Sequence, residues 1–243
     1  MSAFDLIEKA TELKAEVVQF ADNIMLENYS SNEMDQLFSF ARKRGIKLEV
    51  GAKGLTSERL RLYTEIAELL HADLLRFIID DVGFEPSPDT VIKMIQPIIP
   101  LLEEKGISLA LENHDRLKCA DLLLIVTGCN SPNVGICLDT VNSLGVPEGM
   151  DEVIRTLSPY TLNLHVKDFV IRRLDHKMGF CVNGASAGKL EIAGLLGKLA
   201  ALGKCHSAIL ELWTPFGPTL EDTIARENEW AFNSMKYLKQ LSC

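Results

Sequence analysis

Apolar positions along the chain fall into two alternating patterns. Short runs rich in Val, Ile, Leu and Phe are separated by longer stretches whose apolar residues recur at the spacing of a helix face. The strand-like runs are "EVVQFADN", "IKLEVG", "LLRFIID", "ISLALEN", "VGICLDT", "TLNLHVKDF" and "SAILELW". The helix-like stretches are "DLIEKATELKA", "NEMDQLFSFARKRG", "SERLRLYTEIAELLHA", "PDTVIKMIQPIIPLLEEKG", "CADLLLIVTGC", "DEVIRTLSP", "LEIAGLLGKLAALG" and "LEDTIARENEWAFNSMKYLKQL". Seven strands and eight helical segments result. Gly45 stops the second helix, Ser57 is expected to cap the third, and internal prolines should kink or split the fourth. A polar, glycine-containing loop is expected from about Val170 to Lys189.

Strict alternation of strand and helix predicts a parallel sheet covered by helices. The sheet is either open and doubly wound or closed into a barrel. No glycine-rich phosphate loop follows an early strand, which weakens the open dinucleotide-binding version. The even spacing favours a (β/α)8 barrel, and residues 1–243 read as one such domain. The chain begins "MSAFDLIEKATELKA", which is already helical, with Ser2 as its cap and Asp5 and Glu8 at the positive end of its dipole. No apolar strand run precedes this helix. The first strand of the barrel is therefore expected to be missing from this polypeptide, through a late start codon or truncation. The strands beginning near Val17 and Ala208 should then flank an opening.

Composition narrows the function classes. A chain of 243 residues can bury a full core. The net charge of −9, with acidic residues spread throughout, argues against nucleic acid as a partner. The six cysteines form no CxxC pair, so a zinc ribbon or a thioredoxin motif is not expected. The first residues lack the basic and apolar regions of a signal peptide, and no run is apolar enough to span a bilayer. A cytoplasmic protein with reduced thiols is expected.

Candidate chemistry gathers at strand ends. "SLALE" ends at Glu112, "GICLD" at Asp139, "NLH" at His165 and "AILE" at Glu211. Active sites of such barrels lie at the C-terminal ends of the strands. Residues two apart share a face, so Glu112 and His114, Cys137 and Asp139, Asn163, His165 and Lys167, and Glu211 and Trp213 should turn inward. A single carboxylate after a strand is most often a helix cap or a solvated turn. Four polar residues on four successive strands are harder to explain in that way. Three converging carboxylates repel unless a cation neutralises them. Oxygen-rich ligation with one imidazole suits Mn²⁺ best, with Mg²⁺ or Co²⁺ as alternatives.

The segments "ALENHD", "GICLDTVN", "LHVKDF" and "LELW", in this order, resemble the xylose-isomerase-like barrels. That group includes sugar-phosphate isomerases and epimerases, ketose 3-epimerases, inosose dehydratases and endonuclease-IV-like proteins. The resemblance covers nearly the whole chain and is poorly specific for substrate. It implies Glu112, Asp139, His165 and Glu211 as metal ligands. It also implies Glu112 and Glu211 as the pair that moves protons beside the carbonyl of a metal-bound ketose. His114 and Lys167, each two residues past a ligand, are expected near the reacting atoms. The expected substrate-binding residues are Arg76, Asn142, Trp213 and Arg172, with Glu49 as a structural partner of Arg76. Unlike the epimerases, the chain has Arg172 and Arg173 one step later after the histidine, in "HVKDFVIRR". The loop that also carries His176, Lys177 and Lys189 either covers the site and holds an anion or is a solvated basic loop.

A metal-dependent isomerase or epimerase acting on a sugar or sugar phosphate is the leading expectation. A dehydratase of a cyclic polyol ketone such as an inosose or dehydroshikimate is the alternative, motivated by His114 and Lys167. A nuclease would want a histidine-rich cluster, and this chain has five histidines with His71 and His206 at helix-to-strand turns. A binding module would keep the pocket without needing a proton pair. The expected partner is a small sugar or polyol, and a homo-oligomer is compatible with the sequence.

Overall fold

The computed structural model describes residues 1–174 and 179–241. Seven strands run parallel in one sheet: β1 (Val17–Phe20), β2 (Lys47–Lys53), β3 (Leu74–Ile78), β4 (Ser108–Glu112), β5 (Val134–Asp139), β6 (Thr161–Val166) and β9 (Ser207–Leu210). They pair in that order and curl into a nearly closed barrel. β1 and β9 are the two edges of the sheet and share no ladder, so they flank a seam as expected.

Helices α1 (Ala3–Glu12), α2 (Ser31–Arg42), α3 (Ser57–Leu69), α6 (Cys119–Cys129), α7 (Met150–Leu157), α8 (Ile192–Leu202) and α9 (Leu220–Leu241) alternate with the strands. The fourth helical segment splits as its prolines require, into α4 (Pro88–Ile95), a 3-10 turn over Gln96–Ile98, and α5 (Ile99–Lys105). Gly106 ends α5 in a left-handed conformation (φ +65°), which a residue without Cβ adopts freely. Ser2 caps α1 through a reciprocal capping box with Asp5. The cap of α3 is Thr56 rather than Ser57, because the Thr56 hydroxyl accepts from Arg59 N–H while Ser57 Oγ donates to Met94 O.

The loop expected over Val170–Lys189 is largely structured. β7 (Asp168–Arg173) and β8 (Phe180–Ala185) form an antiparallel ribbon outside the barrel sheet. Its start also corrects the single strand expected over "TLNLHVKDF". The chain leaves β6 at Lys167, where Thr140 Oγ1 accepts from Lys167 N–H, and the Asp168 carboxylate then accepts from the N–H groups of Phe169, Lys189 and Leu190. Those bonds pin the base of the ribbon in place of further pairing with the barrel. His176 and Lys177 lie outside the described residues.

Two apolar layers position the site. Between sheet and helices lies the main core, including Leu109, Leu111, Ile136, Leu138 and Leu164, which alternate with the inward positions of their strands. Inside the barrel, Leu74, Ala110, Cys137 and Leu162 form a separate buried cluster. Arg76, Glu112 and Asp139 follow the first three by two residues, so the polar residues sit above an apolar floor. Gly51 of β2 belongs to this inner surface. A Cβ there would lie 2.6 Å from Phe20 O and 3.5 Å from the Arg76 side chain, so only glycine leaves β1 and Arg76 their places.

Candidate metal centre and active site

The four strand ends converge. Glu112 ends β4, Asp139 ends β5 and His165 lies one residue from the end of β6. Glu211 directly follows β9, and its N–H donates to Val166 O at 3.1 Å. Register places Glu112 beside Cys137, Asp139 beside His165, and His165 beside Ile209. Ligand atoms of Asp139, His165 and Glu211 lie within 4.8 Å of one another, as do those of Glu112, Cys137 and His165. His165 is common to both groups, so all four residues expected from the sequence meet around one imidazole. The thiol of Cys137 joins them in space, although the sequence offered no thiolate for the set. Burial pushes its ionisation well above the ordinary thiol range, and it donates to Asn163 Oδ1 at 3.1 Å. A thiol that keeps its proton is a poor ligand.

Local chain geometry aims each donor. Asp139 Oδ1 accepts from Val141 N–H and Asn142 N–H, both at 2.8 Å, which leaves Oδ2 for the cleft. Asn113 fastens the backbone of Asp139 by accepting from its N–H and donating to its carbonyl. Glu112 is clamped at both oxygens: Arg76 Nε donates to Oε2, and Asn142 Nδ2 donates to Oε1 at 2.8 Å. The buried Asp139 Oδ2 and His165 Nδ1 have no hydrogen-bond partner in good geometry. Yet Asp139 Oδ2 stands 2.9 Å from Lys167 Nζ, and His165 Nδ1 stands 2.8 Å from Glu211 Oε2. A buried carboxylate oxygen and a buried imidazole nitrogen, both lacking aligned hydrogen-bond partners, are what a divalent cation would satisfy. The donor set fits a hard or borderline ion with oxygen-rich ligation.

The chain supplies its own cations as well. Lys167 Nζ lies 2.9 Å from Asp139 Oδ2 and 2.8 Å from Glu211 Oε1. Burial alone would lower the lysine's pKa, but the Asp139 and Glu211 charges outweigh it and the net shift is upward. Glu211 is raised by burial and lowered more by His165 and Lys167, which hold it at about 2. Burial raises Asp139 despite the opposing charge of Lys167. For Arg76, burial works against the charge, but Glu112 more than offsets it and the value rises.

Above these groups opens a cleft of about 450 Å³, lined by Arg76, Glu112, His114, Lys167 and Glu211. At its rim Lys53 pairs with Asp22 at 3.3 Å, and Arg116 pairs with Asp80 at 2.6 Å. His114 is therefore on the expected face, with Nδ1 3.4 Å from Asp115 Oδ2. Asn142 reaches the site through Glu112, and Lys167 Nζ donates weakly to its Oδ1 at 3.5 Å. Trp213 is 47% exposed beyond β9, and Arg172 is exposed on the β7 ribbon. Neither is among the residues that line the cleft. Arg76 pairs with Glu112 rather than with Glu49. Glu49 instead accepts from Gln19, Asn163 and Ser207. Gln19 and Ser207 were not singled out from the sequence. The available signal was a polar residue inside an apolar run, at matched register: Gln19 in β1 pairs with Glu49 in β2.

Comparison with known proteins agrees with the barrel fold. The chain is 30% identical over 235 residues to a Pectobacterium atrosepticum protein named 3-oxo-isoapionate decarboxylase, covering 96% of this chain and 86% of that one. A D-psicose 3-epimerase solved in the presence of D-fructose superposes with a TM-score of 0.78 at 16% identity, over 99% of this chain and 94% of the other. The probable 3-DHS dehydratase AsbF of Bacillus anthracis superposes with a TM-score of 0.69 at 14% identity, over 98% and 94%. At such identities the two structures speak for the fold alone. Residues 7–241 match the profile of the xylose isomerase-like TIM barrels, and the chain belongs to that family.

Proposed function

We propose that this protein is a divalent-metal-dependent lyase that decarboxylates a small 3-oxo sugar acid. The observation that carries the reading is that basic side chains of the chain already engage both glutamates. Arg76 pairs with Glu112, while Lys167 and His165 flank Glu211. Neither carboxylate is a free base. Decarboxylation of a 3-oxo acid needs none: the C–C bond to the carboxylate breaks, carbon dioxide leaves, and the electron pair passes onto the 3-oxo oxygen. The carbon then takes one proton. The step calls for positive charge near the oxygen and a proton donor near the carbon.

Lys167 suits the donor role. It lines the cleft, is largely buried, and is held charged by Asp139 and Glu211. Glu112, Asp139, His165 and Glu211 would hold the metal, for which Mn²⁺ is the first choice and Mg²⁺ or Co²⁺ alternatives. When bound, such an ion supplies Lewis-acid polarisation of the substrate's oxygens. Arg76 orients Glu112, and Asn142 fixes the same carboxylate from the other side. His114 sits at the wall of the cleft, where it can meet substrate hydroxyls. The decarboxylase relative, similar over nearly the whole chain, supports this class of reaction. The cleft volume suits a small molecule. Among the described residues no helix is long and apolar enough to cross a membrane. We take the cytoplasm as its compartment.

The second reading is the one the sequence places first, a ketose isomerase or epimerase, with dehydration of a polyol ketone as its variant. Its support is that Glu112 and Glu211 both face the cleft around His165. One experiment separates the readings. Mn²⁺-loaded protein is incubated in D₂O with a panel of 3-oxo sugar acids, ketoses and polyol ketones. Release of carbon dioxide with one deuterium in the product is expected. Epimer formation without carbon dioxide would favour the isomerase reading, and a conjugated enone absorbing in the ultraviolet would favour dehydration.

A further inference from the structure

The seam between β1 and β9 is bridged by side chains rather than by backbone pairing. Gln19, from the β1 edge, donates through Nε2 to Glu49 Oε2 at 2.9 Å and to Asn163 Oδ1 at 3.1 Å. Ser207, from the β9 edge, donates through Oγ to Glu49 Oε1. Asn163 in β6 donates through Nδ2 to Ser207 Oγ at 2.7 Å, and its Oδ1 also accepts from the Cys137 thiol. Each amide is held in one orientation. If Gln19 were flipped, its oxygen would face Glu49 Oε2 and Asn163 Oδ1, two acceptors. The orientation is fixed, so Gln19 Oε1 is the atom that lies 2.7 Å from His165 Nε2.

That contact decides where the imidazole proton sits. An acceptor oxygen opposite Nε2 requires Nε2 to be the N–H. In the neutral ring only one nitrogen carries a proton, so Nδ1 is then the one left to give its lone pair to a cation. It stands 3.5 Å from Glu112 Oε2 and 2.8 Å from Glu211 Oε2. We propose that Gln19 is a positioning residue: backed by Glu49, it accepts from His165 Nε2–H and so holds Nδ1 ready to bind a cation on the carboxylate side. The inference builds on the metal reading of the site but concerns a residue outside the proposed ligands. The same network that ties the two edges of the barrel thereby presets its central ligand. Orientation of this kind, by an outer partner on the second ring nitrogen, is a general determinant of metal affinity.

The test reads the proton directly. Long-range ¹H–¹⁵N correlation spectra are recorded on metal-free protein at a pH of about 8, above the ordinary imidazole range. The His165 signals are identified by their loss in His165→Gln. The proton is expected on Nε2 in the unsubstituted protein. Gln19→Leu should populate the Nδ1–H form, and Gln19→Glu, which keeps an acceptor oxygen, should retain Nε2–H. Titration with Mn²⁺, followed by electron paramagnetic resonance of the free ion, should show binding weakened on the order of 10–100-fold in Gln19→Leu. A proton on Nδ1 in the unsubstituted, metal-free protein overturns the inference, whether or not any variant folds. So do an unchanged tautomer and an unchanged Mn²⁺ affinity in Gln19→Leu. If the unsubstituted protein shows Nε2–H but binds no Mn²⁺, the metal reading fails while the tautomer assignment stands.

Discussion

Lys167 Nζ lies 2.8 Å from Glu211 Oε1, and the same nitrogen reaches Asp139 Oδ2 at 2.9 Å. One ammonium thus occupies the space between two carboxylates proposed as metal ligands. Ammonium and metal compete for the same oxygens, so a bound ion would free Lys167 to face the substrate. Lys167→Met should therefore separate binding from turnover. Mn²⁺ affinity is expected to be kept or to rise, while kcat falls by about 10²–10⁴-fold, the usual size of a lost proton donor. Full turnover in the variant would remove lysine from the mechanism.

Metal should also stabilise the fold. In metal-free protein the inward carboxylates depend on Arg76 and Lys167 for compensation, and two buried metal-facing atoms lack aligned partners. An ion bound only by the native site at 100 times its Kd adds about 2.7 kcal/mol. EDTA should lower the melting temperature and Mn²⁺ should restore it. A midpoint that moves with neither, in a calorimetric scan, would argue that no tight site exists.

Much of this was legible in the sequence because strands impose a period of two. Glu112, Asp139, His165 and Glu211 each follow an apolar run at an inward position, and register then brings them together. The bounds of α6 and α9 also match the helical stretches read from the sequence. What stayed hidden depends on partners distant in the chain. Glu49 looked like a partner for Arg76, but Arg76 turned to Glu112 on the next strand and left Glu49 to Gln19 and Ser207. The β7–β8 ribbon was hidden for another reason: its apolar residues, Phe169 to Ile171 and Phe180 to Val182, run together instead of alternating with polar ones, so no period of two marks it.

The Arg76–Glu112 pair tests whether buried charge here serves stability or chemistry. Both side chains are nearly inaccessible, at 5% and 0% exposure. Removing one partner from such a pair leaves an unpaired buried charge, at a cost of about 3–5 kcal/mol, whereas replacing both can be neutral. Arg76→Met alone should therefore lower the denaturation midpoint sharply. Arg76→Met combined with Glu112→Gln should recover much of the loss while remaining inactive. Additive losses in the double variant, measured by urea titration, would show that the two groups do not act as a pair.

A pH prediction rests on Glu27 and Tyr63, away from the cleft. Tyr63 Oη donates to Glu27 Oε2, and Arg59 Nη2 donates to Oε1 at 3.4 Å. Burial raises the Glu27 pKa, but the Tyr63 hydrogen bond leads the opposing effects and the net shift is downward from 4.5. A carboxylate whose folded pKa is depressed adds stability that is fully present above its unfolded value. That stability is lost as pH falls through the folded value. Tyr63→Phe removes the donor, so the folded pKa should move back toward 4.5 and the acid-side loss contributed by Glu27 should shrink. Near neutral pH the variant should lose about 1 kcal/mol, the net worth of one hydrogen bond to a partly exposed carboxylate. The difference between variant and unsubstituted protein should narrow as pH falls below 4.5, since protonation removes the acceptor's charge in both. Urea midpoints measured across this range decide the matter, and a difference that stays constant on acidification would show that the Tyr63 hydroxyl does not act through the Glu27 charge.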